Sequence, residues 1–487
     1  MTVEPSAPPS LPEDGTQDAL HGDMLVHEHP ADTQSDSLDH ENRLKSDFIR
    51  RVQSALDEGE VDEVYNLVEP LHPADIADLF ELVDADERAP LAHAISDLMG
   101  GEVFAEMNDH VREALVDELP AEDIADIAEN MDTDDAVALI EDLDAEDRQA
   151  VLAEMEPEDR AAIVAALSYP EETAGRLMSR DVIAVREAMT VGDLIDYLRA
   201  ARGLPTEFWE VFIVDARHHP VGTCALSWLL RAPRHVPLSD VMKRDQTLIP
   251  VTMDQEEVAL RFQKYALISA AVVDESGRLV GHITVDDIVH IIQEEAGEDA
   301  LALSGAGDGD INEPLRETIK SRLWWLFINL GTAMLASSVV AAFQGTIEKL
   351  VTLAVIMPII SGMGGNAATQ TMAVTVRALA TNQLTSSNTW RMIGREWWIA
   401  NANGWGLGAL MAVGCQLIYH DIMLSTVVIL AMILNSINAG LSGVLIPIGL
   451  EKLKIDPAVV STVFVTTMTD TFGFFFFLGL AALFHLH

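Results

Sequence analysis

Two hydrophobic textures divide the chain. Up to about residue 320, apolar positions are short, periodic and set among acids. Beyond Arg322, apolar stretches run at about 323–343, 350–380, 392–418, 423–449 and 458–484. Each is long enough to cross ~30 Å of hydrocarbon as a helix. Residues 46–170 are rich in Ala, Leu, Asp and Glu, with few β-branched runs, which predicts helices throughout. His72-Pro-Ala-Asp-Ile-Ala-Asp78 recurs as Pro120-Ala-Glu-Asp-Ile-Ala-Asp126, pairing Asp75 with Asp123 and Asp78 with Asp126 at a spacing of 48. Such a repeat predicts a stack of short helices. Proline followed by acids suits a first helical turn, where carboxylates meet the positive end of the macrodipole; that explains most of these acids without any site. From about Gly175, strand-like runs (Val182–Val185, Val211–Val214, Ala270–Val273) alternate with helical stretches. Residues 1–45, rich in Pro, Asp, Ser and His, have no apolar period and are expected to be disordered. His21, His27 and His29 there could bind a transition metal, but a solvated tail is the plainer reading.

Charge sharpens the division. The formal net charge is −48, yet 49% of residues are hydrophobic and the mean hydropathy is +0.18. From Lys320 onward there are 8 Lys and Arg against 6 Asp and Glu; the preceding residues hold 22 against 72. The first part is therefore an acidic soluble half that repels nucleic acid. Cys224 and Cys415 are the only cysteines, so no disulfide framework or cysteine-rich zinc site is expected. No basic-led apolar segment opens the chain, so no secretory signal is expected. Lys320 and Arg322 precede the first apolar stretch, Arg377, Arg391 and Arg395 surround the second-to-third connection, and Lys452 and Lys454 lie between the fourth and fifth. By the positive-inside rule this predicts a multi-pass protein of the cell (inner) membrane, with a cytoplasmic N-terminus and an extracytoplasmic C-terminus.

Polar residues inside the apolar stretches carry the chemistry. Asp470 sits in the middle of the fifth, and an ionised carboxylate at that depth is costly unless it faces water or a cation. A protonated Asp bonded to neighbouring threonine hydroxyls is the structural alternative. The second stretch contains Pro358-Ile-Ile-Ser-Gly-Met-Gly-Gly-Asn-Ala-Ala-Thr-Gln370. Its glycines and proline predict a broken helix whose freed carbonyls line a polar path; close helix packing would explain the glycines alone. Gly440, Gly443 and Pro447 are packing or hinge positions, and Glu396 is expected at the membrane interface.

A second duplication pairs Leu177–Asp181 with Val241–Asp245, and Phe212–Gly222 with Ala271–Gly281. This resembles a tandem pair of cystathionine β-synthase (CBS) domains. Such pairs often bind adenosine nucleotides through Gly-x-x-Thr-x-x-Asp. Gly281, Thr284 and Asp287 match it, which implies at most one site for ATP or another adenosine nucleotide; the first half has Gly222 but Ala225 and Trp228. A purely structural, dimerising pair is the alternative.

Gly362-Met-Gly-Gly-Asn-Ala-Ala-Thr-Gln370, Arg377–Ala380, and Asp456-Pro-Ala through Asp470 and Gly473 resemble the MgtE family of magnesium channels, as does the order of domains. Ala368 stands where that family usually has glycine. The resemblance implies a multidomain fold. A disordered tail (1–45) precedes an all-α acidic helical-repeat domain (46–174) and an α/β CBS-domain pair (175–293). A connecting helix and linker (294–321) then lead to an all-α membrane domain of five transmembrane helices (322–487).

Function is likewise implied: a homodimeric Mg2+ channel for uptake, no enzyme, with Asp470 and Asn366 at the pore, Mg2+ as transported ion and regulator, and membrane lipid as the surrounding partner. Glu122, Asp123, Asp126, Asp254, Glu256, Asp286, Asp287, Glu295, Glu298 and Asp299 match its regulatory acids, while His290 stands where the family can have an acid. Two carboxylates ~6 Å apart repel by roughly 3 kcal/mol at an effective dielectric near 20, so divalent ions between them would draw such an interface closed. A Na+- or H+-coupled secondary transporter and a membrane-anchored nucleotide sensor without transport are the competing readings. Halophile-like solubility explains a general acidic excess, but not acids on the helix entering the membrane.

Overall fold

A computed structural model describes residues 37–117, 119–201, 204–205, 208–304, 312–385 and 387–484, so most of the tail, with His21, His27 and His29, lies outside the described residues. The chain forms two compact units. One comprises the residues up to Met131 together with Asp142–Glu154; the other comprises Asp132–Glu141 and everything from Met155 onward.

Nine short helices, α1 to α9, run from Ser46 to Glu154 among the described residues. The acids fall in first turns: Asp75 on α3 (Pro73–Leu82), Asp86 and Glu87 on α4 (Ala85–Ala94), Glu122 and Asp123 on α7 (Ala121–Glu129). Local chemistry starts these helices. Pro73 fills the first turn of α3, where a missing N–H costs nothing, and His72 Nδ1 accepts from the Ala74 N–H at 3.2 Å. Asp84 and Glu87 close a capping box on α4. All of these helices but α8 (Thr133–Glu141) belong to the first unit, whose buried side chains include Phe48, Val52, Leu79, Phe80, Leu91 and Phe104.

The second unit holds α8, α10 (Pro157–Ala166), α11 (Ala174–Leu177) and two copies of one α/β motif. β1 (Ala184–Arg186) runs parallel to β2 (Glu210–Val214), which pairs antiparallel with β3 (Pro220–Ala225); β4 (Leu248–Pro250), β5 (Ser269–Val273) and β6 (Leu279–Thr284) repeat the pattern. The hairpin turns repeat as well. Asp215 and Asp274 accept backbone N–H groups at equivalent places. The left-handed residue is Gly277 in the second copy and His218 in the first. The copies also exchange segments: Ser179 bridges to His282 on β6, and Lys243 to Thr223 on β3. Gly281 and Gly222 permit this, since a Cβ at Gly281 would lie 2.6 Å from the Ser179 carbonyl and one at Gly222 2.9 Å from that of Lys243.

After β6 a single helix, α16 (Val285–Ser304), carries the chain toward the membrane domain. It starts nine residues before the expected connecting helix, because no proline interrupts the run and the lone Gly297 costs only ~1 kcal/mol. The long helices follow: α17 (Leu315–Ala342), the short α18 (Gln344–Lys349), α19 (Thr352–Ala380), α20 (Thr389–Tyr419), α21 (Ile422–Lys452) and α22 (Pro457–Leu483). Among the described residues, four are long and apolar enough to cross a membrane: α17, α19, α21 and α22. α20 has 31 residues and packs along α21, but carries Arg391, Arg395 and Glu396. Its buried stripe is Glu396, Ala400, Gly404, Gly408 and Ala412. This small-residue spacing lets two helix backbones approach closely where lipid offers no hydrophobic drive.

The expected break in the second span does not occur. α19 is one 29-residue helix with Pro358 inside it. One of its glycines, and one on the facing helix α21, are used for packing instead. Gly364 lies against Asn435, and Gly443 on α21 lies against α19, where a Cβ would come 2.8 Å from the Ala368 carbonyl and 2.9 Å from Thr371 Cβ. Gly443→Val should therefore lower membrane-domain stability by about 1–3 kcal/mol through overpacking, measurable as a lower thermal midpoint in detergent. An unchanged midpoint would show that the contact is slack.

Candidate functional site

Asp470 lies midway along the 27-residue α22 and is half-buried. Its neighbouring threonines do not solvate it. Thr466 donates to the Thr462 carbonyl at 2.8 Å, Thr467 to Val463 at 2.6 Å and Thr469 to Val465 at 3.1 Å, all within their own helix. The partner of Asp470 comes from across the bundle: the buried Ser361 hydroxyl on α19 donates to Oδ1. Ser361 was not among the expected site residues. Its signal was present, as a hydroxyl in the Pro358–Gln370 segment, but nothing along the sequence matched it to Asp470. Asn366 and Gln370 sit on the exposed face of α19, one turn apart.

The Thr462 end of this helix pair is held by α16. The Leu303 carbonyl accepts from the Thr462 hydroxyl at 2.7 Å. Ala302 and Leu303 pack against a cluster that includes Ala368, Met372, Ala458 and Val465. Thr462 lies two turns before Asp470, ~12 Å along the helix at 1.5 Å per residue.

The other end of α16 meets a group of acids. Asp286 and Asp287 occupy its first turn, and the nearby charges that act on them come from the start of α8. Asp134 is raised well above its ordinary 3.8, chiefly by burial, then by the charges of Asp287, Asp135 and Asp132. Asp287 is raised by burial, against hydrogen bonds from Thr284 that lower it, with Asp286 and Asp132 adding repulsion. Asp132 is raised by burial, then by Asp181 and Asp286. Asp134 Oδ1 is out of solvent and has no hydrogen-bond partner among the described residues. Thr133 donates to Asp181 at 3.4 Å, and Arg176 pairs with Glu141 at 3.2 Å. Among the described residues, no three of His, Cys, Asp and Glu are grouped closely enough to hold a metal ion directly. What this arrangement can do is attract a hydrated cation.

Raised carboxylates have a definite sign. Their stabilising contribution is complete below the unfolded value and is lost as pH rises through the folded one. Lowering the pH from 7.5 to 5.5 without divalent ions should therefore protect the α8 segment from protease. His282 opposes this below about 6.5, because burial depresses its pKa despite Asp181 and Asp286 nearby. Equal cleavage at both pH values would show that the acids are relaxed by solvent.

The other expected regulatory acids are not gathered here. Glu122, Asp123 and Asp126 are exposed on α7, in the first unit. Asp254 caps α15 (Gln255–Tyr265), accepting from the Glu256 N–H at 3.0 Å. Glu295 accepts from Gln255 at 2.7 Å. Glu298 is exposed on α16, and the side chain of Asp299 lies outside the described residues. Asp132, Asp134, Asp135 and Asp181 belong to the cluster but were not expected in it, because Thr133–Asp135 reads as one more acidic first turn.

The nucleotide motif is used internally. The Thr284 hydroxyl donates to Asp287 at 2.8 Å and its N–H does so at 3.1 Å, closing the start of α16. The equivalent first-half residues Ala225 and Trp228 line a cleft of about 1200 Å³ with Lys243, Arg261, Ser269 and Thr381. They bring neither a hydroxyl for a phosphate nor a carboxylate for a ribose.

Comparison with known proteins gives three family matches: a divalent cation transporter domain (MgtE) over residues 357–480, an MgtE intracellular N domain over 71–172, and a CBS domain over 238–294. The Magnesium transporter MgtE of Thermus thermophilus is 32% identical over 320 residues, 65% of this chain and 70% of its own. That of Enterococcus faecalis is 30% identical over 318 residues, again 65% and 70%. A crystal structure of the cytosolic domain of the Mg2+ channel MgtE in complex with ATP is 28% identical, with a TM-score of 0.47, covering 50% of this chain and 99% of that one.

Proposed function

Because the chain belongs to the MgtE family of magnesium transporters, we propose that it is a Mg2+-conducting channel of the cell membrane, with Asp470 at its ion site, closed from the cytosol by Mg2+. The observation that carries this reading is the continuity of the parts. One 20-residue helix, α16, ~30 Å long, begins at the Asp134–Asp287 acids. It ends on Thr462, in the same helix as Asp470.

Mg2+ dehydrates reluctantly and keeps an octahedral shell of water. A half-buried carboxylate with one hydroxyl partner suits contact through those waters, loose enough for the ion to leave. In a homodimer the two copies of Asp470 would share the path, with Asn366 and Gln370 on the exposed face of α19 as further polar lining. The α20 helix completes five spans, its Arg391 and Arg395 on the cytoplasmic side.

For closing, bound Mg2+ screens the repulsion of Asp132, Asp134 and Asp135 with Asp181, Asp286 and Asp287. Each ion that binds only the closed form shifts the balance by mass action. No nucleotide step enters this reading, since Thr284 and Asp287 are committed to the first turn of α16. The test is Mg2+ uptake into proteoliposomes under an imposed potential with no Na+ or H+ gradient. Uptake that follows the potential alone is expected; uptake that appears only with a second gradient would replace the channel by a coupled transporter.

A further inference from the structure

Two carboxamides on α21 reach the two helices that carry Ser361 and Asp470. Asn435 is 1% exposed and donates through Nδ2 to the Ile360 carbonyl at 2.8 Å, one residue before Ser361. Asn438 donates through Nδ2 to the Met468 carbonyl at 3.2 Å, two residues before Asp470. Three positions apart, they share one face of α21. The neighbouring helices are cut back to admit Asn435: it fills the space beside Gly364, and a Cβ on Gly473 would lie 3.1 Å from its Nδ2. These two glycines lie three residues beyond Ser361 and Asp470 respectively.

Resting on the assignment of Asp470 as the ion site, we infer that Asn435 and Asn438 are positioning residues that set the separation of Ser361 from Asp470. Neither touches the carboxylate. Each holds the backbone beside one member of the pair, so the distance across the site is fixed from behind by a third helix. Asn435 keeps this role at a cost, since its Oδ1 is buried with no hydrogen-bond partner among the described residues. Filling space needs no carboxamide: Ala431, Met432 and Ala439 do so on the same helix, and the one polar buried neighbour, Ser436, carries only a small hydroxyl. A half-used carboxamide in a water-poor core is retained for the bond it does make.

Helix association is the plainer role for intramembrane asparagine, and the two roles separate in their readout. Loss of association lowers the amount and stability of folded protein but leaves the ion affinity of what remains unchanged. Loss of positioning changes affinity and selectivity. The experiment uses the full chain in proteoliposomes, comparing wild type with Asn438→Leu, Asn438→Gln, Asn435→Asp and Asp470→Ala. Mg2+ uptake per folded protein is measured against Mg2+ concentration and against Ca2+, with thermal midpoints recorded in parallel.

Asn438→Leu and Asn435→Asp are expected to raise the half-saturating Mg2+ concentration roughly tenfold and to narrow the preference for Mg2+ over Ca2+. Asn438→Gln, which restores a carboxamide, should recover most of both. Wild-type half-saturation and selectivity in Asn438→Leu, with Asp470→Ala inactive, would overturn the positioning role alone. If Asn435→Asp does not fold, the Asn438 pair decides. Full uptake by Asp470→Ala would instead overturn the ion site itself, and this inference with it.

Discussion

Asp470→Ala is expected to abolish potential-driven Mg2+ uptake, by about a hundredfold or more, while the protein still folds and inserts. A divalent ion ~6 Å from one carboxylate, separated by a water, gains about 5 kcal/mol at an effective dielectric near 20. Losing little more than half of that is a hundredfold. Ala is smaller and apolar, and the side-chain hydrogen bond it removes is the one from Ser361, so stability should change little. Asp470→Asn separates charge from shape: it keeps the volume and a hydrogen-bonding oxygen, and should be nearly as inactive. Ser361→Ala should be milder, because it removes one donor to the carboxylate and leaves the charge. Fluorescent Mg2+ indicators trapped in proteoliposomes give the rates. Wild-type uptake by Asp470→Asn would mean that the carboxylate is a structural acid in its protonated form.

The second large effect concerns control. Joint replacement Asp134→Asn and Asp287→Asn should uncouple the protein from cytosolic Mg2+. Both carboxylates are held above their ordinary range by burial and by neighbouring negative charge, so removing the two charges relieves the repulsion that Mg2+ otherwise screens. The α8 segment should then resist protease without Mg2+, as wild type does at low pH, and uptake should be low and unresponsive to internal Mg2+. Roughly 3 kcal/mol for a pair ~6 Å apart corresponds to about a hundredfold shift between open and closed forms. Replacing Glu122, Asp123 and Asp126, which lie exposed on α7, gives the comparison. If their loss alone removes Mg2+ inhibition while the Asp134–Asp287 pair is silent, the control site has been assigned to the wrong acids.

Much of this architecture was legible along the chain. Acids and apolar runs cannot occupy the same solvent, so their segregation separated a soluble half from a membrane half. The 59-residue offset between Asp215 and Asp274 reappears in two equivalent turns and in the strands that flank them, within two three-stranded sheets. The midpoint of an apolar run is the midpoint of a bilayer, so hydropathy along the chain is enough to mark Asp470. Proline and glycine misled in the second span: they predict a break from local propensity, but α19 remains one helix, with Gly364 packed against Asn435 and Gly443 of α21 packed against it in turn. The acids are harder to read, because a regulatory carboxylate and a first-turn carboxylate look alike in sequence. Asp254 caps a helix, whereas burial and the charge of Asp287 raise Asp134.

What the sequence by itself determined is everything that depends on residues near one another in the chain: helix starts, the duplicated strands, the depth of Asp470 within its apolar run. What only the tertiary structure decided is which groups meet. Ser361 and Asp470 are 109 positions apart, Asn435 and Ile360 are 75 apart, and Asp134 and Asp287 lie in different domains of the sequence. Such pairs are set by the approach of helices and sheets in three dimensions, and no periodicity along one helix specifies its partner.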